Sequence, residues 1–174
     1  PEDDVIWDQL STYYYYNKAY PKALEAVNNA LELNARDANY YYHLGKIYKA
    51  MNKKEDAYQA FLKVAEKDAK NATGYHELAV YSFTTGDLEK ALEYEEQALK
   101  INPSNYDLRI TMGTLYLEQH KVKEKENIPA AEKKKQLEAL LQQAYKEFNF
   151  ATQLEEQNPE GHYMKSRVHF LNGT

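Results

Sequence analysis

Cysteine is absent from the chain, which excludes disulfides and thiolate metal sites outright. Glycine is scarce and scattered: its six positions, 45, 74, 86, 113, 161 and 173, are isolated, so no glycine-rich phosphate loop exists. No apolar run approaches the ~20 residues that span a bilayer. Positive charge is not in excess either, with 22 Lys plus Arg against 27 Asp plus Glu, which argues against a nucleic-acid partner. The opening residues Pro1-Glu2-Asp3-Asp4 lack the basic and apolar parts of a signal peptide. The chain is expected to be soluble as it stands. Because it starts without an initiator methionine, it is expected to be a trimmed product that could have lost a targeting or anchoring segment. Its compartment is left open between the cytoplasm and a bacterial envelope.

What is present is the balance of a folded, helix-favouring protein: 43% hydrophobic residues, 28% charged residues and 17 tyrosines in 174 residues. The chain also repeats itself. Trp7, Tyr41 and Tyr75 are spaced by 34, as are Leu10, Leu44 and Leu78, and Ala23, Ala57 and Ala91. Small residues hold a further column at Ser11, Gly45 and Ala79, facing Val27, Phe61 and Glu95. Charge follows the same period. Residues 1–37 hold three basic and seven acidic groups, 38–71 seven and four, 72–105 two and six, and 106–174 ten and ten.

Within a period, Tyr41, Leu44, Gly45 and Tyr48 fall on one helical face, and Ala57, Phe61, Val64 and Ala65 on a second. Each period therefore predicts two helices whose small residues allow close approach. Asn17-Lys18, Met51-Asn52 and Thr85-Gly86-Asp87 mark the turn inside each pair, with Gly86 suited to a left-handed position and Asp87 to a helix N-cap. Asn102-Pro103-Ser104-Asn105 and Asn158-Pro159 mark turns between pairs.

This pattern resembles the tetratricopeptide repeat family, whose unit of 34 residues is two antiparallel helices. Residues 72–105 carry the fullest match, through Tyr75, Leu78, Ala79, Gly86, Ala91, Ala98, Leu99 and Pro103. The resemblance implies an all-α fold, a right-handed superhelical array of antiparallel helix hairpins over residues 1–174. Its units would be 4–37, 38–71, 72–105 and 106–159, closed by a capping helix over 160–174. The fourth unit departs from the pattern. Tyr116 stands 28 residues before Ala144, whereas Tyr48 stands 9 before Ala57, so 19 residues are inserted, and Arg109 replaces the usual aromatic. Leu137, Leu140, Leu141, Ala144, Phe148 and Ala151 extend one apolar stripe back toward Pro129, which predicts a helix from about 130 to 156, roughly 40 Å long.

Catalytic patterns are missing. His76-Glu77-Leu78-Ala79-Val80 begins like a zinc-protease helix, but Val80 stands where the second histidine is required. His43 and His76 find no third ligand at matching spacing, and no serine occupies an elbow motif. No enzyme activity, cofactor or metal is expected. Glycosylation sequons at Asn71-Ala72-Thr73 and Asn172-Gly173-Thr174 are short enough to arise by chance.

The resemblance further implies a concave groove lined by the first helix of each unit. That register sends Asp8, Thr12, Tyr15 and Tyr16, then Asn39, Tyr42, His43, Lys46 and Lys49, then Thr73, His76, Glu77, Val80 and Phe83, then Asp107, Ile110, Thr114 and Leu117 into the groove. Tyr14, Tyr41, Tyr48, Tyr75 and Tyr116 are core by the same register, and Tyr13 and Tyr40 cover helix flanks. A terminal-carboxylate clamp of the chaperone-binding kind is not expected, because its positions hold Asp8, Thr12, His43, Thr73 and Glu77. The expected function is a non-enzymatic interaction module that holds a partner peptide or helix through Thr12, Tyr15, Tyr16, Tyr42, His43, Lys46, His76, Val80 and Phe83. The alternative is a self-associating scaffold, a homo-oligomer that uses the groove or the extended fourth hairpin, whose tip at 121–135 is mildly basic. Neither nucleic acid nor direct membrane binding is expected.

Overall fold

The computed structural model describes residues 3–173. Among them lie nine α-helices: α1 (Asp4–Tyr16), α2 (Tyr20–Leu33), α3 (Ala38–Ala50), α4 (Lys54–Lys67), α5 (Ala72–Thr84), α6 (Leu88–Ile101), α7 (Tyr106–Glu124), α8 (Ala130–Leu154) and α9 (Pro159–Leu171). The chain divides into two compact units, one ending at Tyr81 and one beginning at Ser82, so the boundary falls inside α5. Thr174, which belongs to the expected capping segment and to the second sequon, lies outside the described residues, as do Pro1 and Glu2.

Local chemistry sets the helix ends. Asp3 Oδ1 accepts from the Val5 and Ile6 amides, Asp37 Oδ1 from Asn39 N, Asp87 Oδ1 from Lys90 N, Asn105 Oδ1 from Leu108 N and Asn158 Oδ1 from Glu160 N, at 2.9 to 3.3 Å. The turns closing α1, α3 and α5 share one geometry. Lys18, Asn52 and Gly86, each 34 residues from the next, all have positive φ, at 58°, 58° and 86°. The amides that follow, of Ala19, Lys53 and Asp87, each donate to a carbonyl five residues back, Tyr14, Tyr48 and Ser82, at 2.9 Å. This is the Schellman closure, and its left-handed residue is free of steric cost only where glycine stands.

In the first unit, α1 packs on α2, α2 on α3 and α3 on α4. Ala23, Val27, Ala30, Tyr40 and Ile47 form a buried cluster, ringed by half-buried Trp7, Tyr14, Tyr15 and Leu44. Gly45 lets α3 approach α4, because a Cβ there would sit 2.5 Å from Phe61 Cε1. The first ten residues of α5 continue the layer against α4: Gly74 faces Val64, and the Tyr58 and Tyr81 rings stack at 4.3 Å. Tyr40, expected on a helix flank, is instead buried, its hydroxyl donating to Asp4 Oδ2 at 2.9 Å. Tyr14, Tyr41, Tyr48 and Tyr75, expected in the core, are half-buried, since their rings cap the small-residue seam rather than enter it.

In the second unit, α6 packs on α7, α7 on α8 and α8 on α9. The 19 inserted residues lengthen both helices of one hairpin, so that α7 runs 19 residues and α8 runs 25, starting at 130 as the stripe implied and ending at 154 rather than 156. Gly113 repeats the Gly45 device against Phe148, again 2.5 Å from a would-be Cβ. Ile110 and Leu117, assigned to the groove by register, are buried with Phe148, Leu141 and Met164 because the longer α8 covers them. Tyr116 is half-buried beside that cluster. Arg109 takes the place of the missing aromatic by several bonds at once: Nη1 meets Glu147 Oε2 at 2.5 Å, Nε and Nη2 donate to the Pro103 carbonyl, and the guanidinium lies 4.3 Å from the Phe150 ring centroid.

Candidate functional site

The best-formed site lies in the first unit, along α1, α3 and the start of α5. Polar side chains tie those helices together across its floor. His43 Nδ1 on α3 lies 2.5 Å from Asp8 Oδ1 on α1, and Lys49 Nζ on α3 lies 2.6 Å from Glu77 Oε2 on α5. Between the two bridges Lys46 points its ammonium at the faces of two rings, 5.0 Å from the Tyr15 centroid and 5.7 Å from that of Tyr42. Helical spacing produces this arrangement. His43, Lys46 and Lys49 advance by three residues along α3, while Tyr15 and Tyr16 end α1 beside them.

Two depressions meet there. A small cavity of about 50 Å³ is lined by Ser11, Thr12, Tyr15, Tyr16, His43, Lys46 and Ile47. A wider cleft of about 230 Å³ is lined by Tyr15, Lys46, Lys49, Ala50 and Glu77. Tyr15 and Lys46 belong to both. Tyr16 stands out into solvent at 73% exposure, while Tyr42 is half-buried with its ring 6.0 Å from Phe61. Burial raises the Tyr42 phenol above its ordinary range, and the nearby Glu77 charge adds to the shift, so the hydroxyl stays protonated at neutral pH and can donate.

Of the residues assigned to the groove by register, Thr12, Tyr15, Tyr16, His43 and Lys46 line the cavity, and Tyr42 flanks Lys46. His76 and Val80 are half-buried on α5. Phe83 lies on α5 past the division between the units and is 40% exposed in the second of them. Asp8, Lys49 and Glu77 serve as the cross-braces that the register placed there without naming their partners. Those partners face one another from helices 28 and 35 residues apart, and only the packing of the helices brings them to bonding distance.

The other surface singled out by sequence, the tip at 121–135, is largely neutralised by its own carboxylates. Lys121 bonds Glu118, Lys123 meets Glu126 at 2.9 Å, and Lys133 Nζ donates to the Glu124 carbonyl at 3.1 Å. Among the described residues there is no group of three or more His, Asp or Glu placed to hold a metal, and no helix long and apolar enough to cross a membrane.

Comparison with known proteins agrees with this geometry. The tetratricopeptide repeat family model matches residues 38–71 and 72–105. The chain is 33% identical over 99 residues to the BBSome complex member BBS4 of Mus musculus, a match that covers 55% of this chain and 18% of that protein. Among solved structures it is similar to MamA, with a TM-score of 0.78 at 14% identity over 98% of this chain and 82% of the other. It is likewise similar to YrrB, with a TM-score of 0.73 at 18% identity over 99% and 79%. At these identities the structural likeness speaks for the fold alone. A 34-residue helical hairpin, repeated with these columns and matched unit for unit, settles the family: the chain is a tetratricopeptide repeat protein.

Proposed function

We propose that this chain is a non-enzymatic interaction module that binds an extended peptide or helix of a partner protein along α1, α3 and the start of α5. The observation that carries this reading is the joined pair of depressions over Tyr15 and Lys46, framed by Tyr16, Tyr42 and His43. Tyrosine suits such a surface because it offers a large contact area and a hydroxyl with few rotors to immobilise. The Asp8–His43 and Lys49–Glu77 bridges hold the backbone of the site in place before a ligand arrives, which lowers the ordering cost of binding. The printed name of the mouse relative makes it a complex member, and the YrrB structure is described as having an unusual peptide-binding site; each statement concerns that protein and supports the same class of function here.

The test is selection of a randomised dodecapeptide library on the immobilised full chain and on its Tyr16→Ala, Tyr42→Ala variant. Peptides retained by the first and lost by the second, with helicity unchanged by circular dichroism, are expected. Equal retention by both would overturn the site.

A second reading, self-association, is favoured by one observation in the second unit: α9 leaves Tyr163 and Phe170 exposed at 67% and 84%. Light scattering across about a hundredfold range of concentration separates the two, since a constant monomer mass removes the scaffold.

A further inference from the structure

Within the proposed peptide site the cations are unequal. Lys49 is held by Glu77 and His43 by Asp8, each with a carboxylate already in place. Lys46 has none: among the described residues no carboxylate comes within ion-pair distance of its ammonium, and its neighbours are two tyrosine faces. An ammonium over aromatic rings is steered by their quadrupole but is not neutralised, and ring faces return less than the water they displace. Its charge therefore remains available. It also stands where the two depressions meet, beside the Thr12, Tyr15 and Tyr16 side chains that line the smaller one. That cavity, at about 50 Å³, has room for a compact polar group and not for an aromatic ring. The raised phenol of Tyr42 adds a donor that keeps its proton at neutral pH.

We propose that Lys46 forms an anion-receiving subsite for one side-chain carboxylate, an Asp or Glu, of a bound peptide. The assignment rests on the peptide-site reading above and adds the class of side chain it selects. Attraction to Lys46 is charge-assisted and shielded on two sides by ring faces, so it is stronger than an exposed ion pair. Asp8 and Glu77 do not oppose an incoming carboxylate as free charges, because each is paired at 2.5 and 2.6 Å. The subsite is distinct from a terminal-carboxylate clamp, which needs several cations on successive helices, and it would accept the acidic residue anywhere along the peptide.

The experiment extends the library selection to the full-length Lys46→Met variant, which retains the aliphatic stem that packs on Tyr15 and Tyr42 and removes only the charge. The wild type is expected to enrich peptides with one fixed acidic position. Exchanging that Glu or Asp for its amide should weaken binding about tenfold by fluorescence anisotropy, an effect that shrinks toward nothing in Lys46→Met and at high salt. Matching thermal melts of the two proteins would show that the variant is folded. Selection of Tyr42-dependent peptides without a fixed acidic position, or an amide exchange that costs the same in both proteins, would overturn the subsite and leave the peptide site standing. Failure to select any peptide that depends on Tyr16 and Tyr42 would overturn both.

Discussion

Single residues explain why the hairpins close so tightly. Gly45 and Gly113 occur 68 residues apart, each against a fully buried phenylalanine on the paired helix, while the intervening units use Ser11 and Ala79 in the same column. Ser11 fits by turning its hydroxyl to the Ala23 carbonyl at 3.0 Å, which satisfies a buried donor. Gly113→Ala should push Cβ into the Phe148 ring and destabilise the protein by about 1–3 kcal/mol in urea melts; no loss would mean that the ring relaxes freely. The left-handed turn column makes the opposite prediction at Lys18. There φ is 58° with a side chain in place, so Lys18→Gly should stabilise by about 1 kcal/mol, read as a rise in melting temperature. The small-residue column could be read from spacing alone. The left-handed backbone at Lys18 could be inferred only from its register with Gly86, because lysine carries no signal for it.

Elements are joined by a few polar contacts that no local pattern reveals. The Asp4 carboxylate on α1 accepts from Asn34, just past α2, and from the Tyr40 hydroxyl on α3, both at 2.9 Å. Those hydrogen bonds, Asn34 first and Tyr40 second, hold its carboxyl below the usual aspartate range. A depressed carboxyl pKa stabilises the fold above the unfolded value of about 3.9, and that contribution is lost as pH falls through the folded value. The stability gap between wild type and Tyr40→Phe should accordingly be full at pH 7 and narrow below about pH 4; urea titrations at pH 7 and pH 3 test this, and a gap that does not change with pH would detach Tyr40 from Asp4. The long hairpin of α7 and α8 shows a second element-scale effect. Burial is dense where Phe148 meets Gly113 and thins toward residues 121–135, where ion pairs between near neighbours replace core contacts. Amide hydrogen exchange should be fastest at that tip and slowest around 108–117 and 141–152. Uniform protection would mean that the tip is braced by something other than these pairs.

At the scale of the molecule, the two units carry separate buried clusters, Ala23 to Ile47 in one and Tyr106 to Val168 in the other. Repeat arrays sum intrinsic unit stabilities and nearest-neighbour terms, so a lesion is felt first where it is made. Phe148→Ala should cost about 3–5 kcal/mol and strip exchange protection from α7, α8 and α9, while α1 to α4 keep most of theirs; equal loss everywhere would show one cooperative unit. The sequence by itself determined the all-α class, the 34-residue period, the hairpin turns and the lengthened fourth pair, because these depend on periodicity and on the backbone preferences of glycine, proline and capping residues, which act over a few neighbours. It also named Thr12, Tyr15, Tyr16, Tyr42, His43 and Lys46 as one helical face. Tertiary structure alone decided that Tyr40 enters the core, that α8 buries Ile110 and Leu117, and that Lys46 keeps a free charge while His43 and Lys49 do not. Those outcomes depend on distances between side chains about 30 residues or more apart, and such distances exist only once the helices have packed.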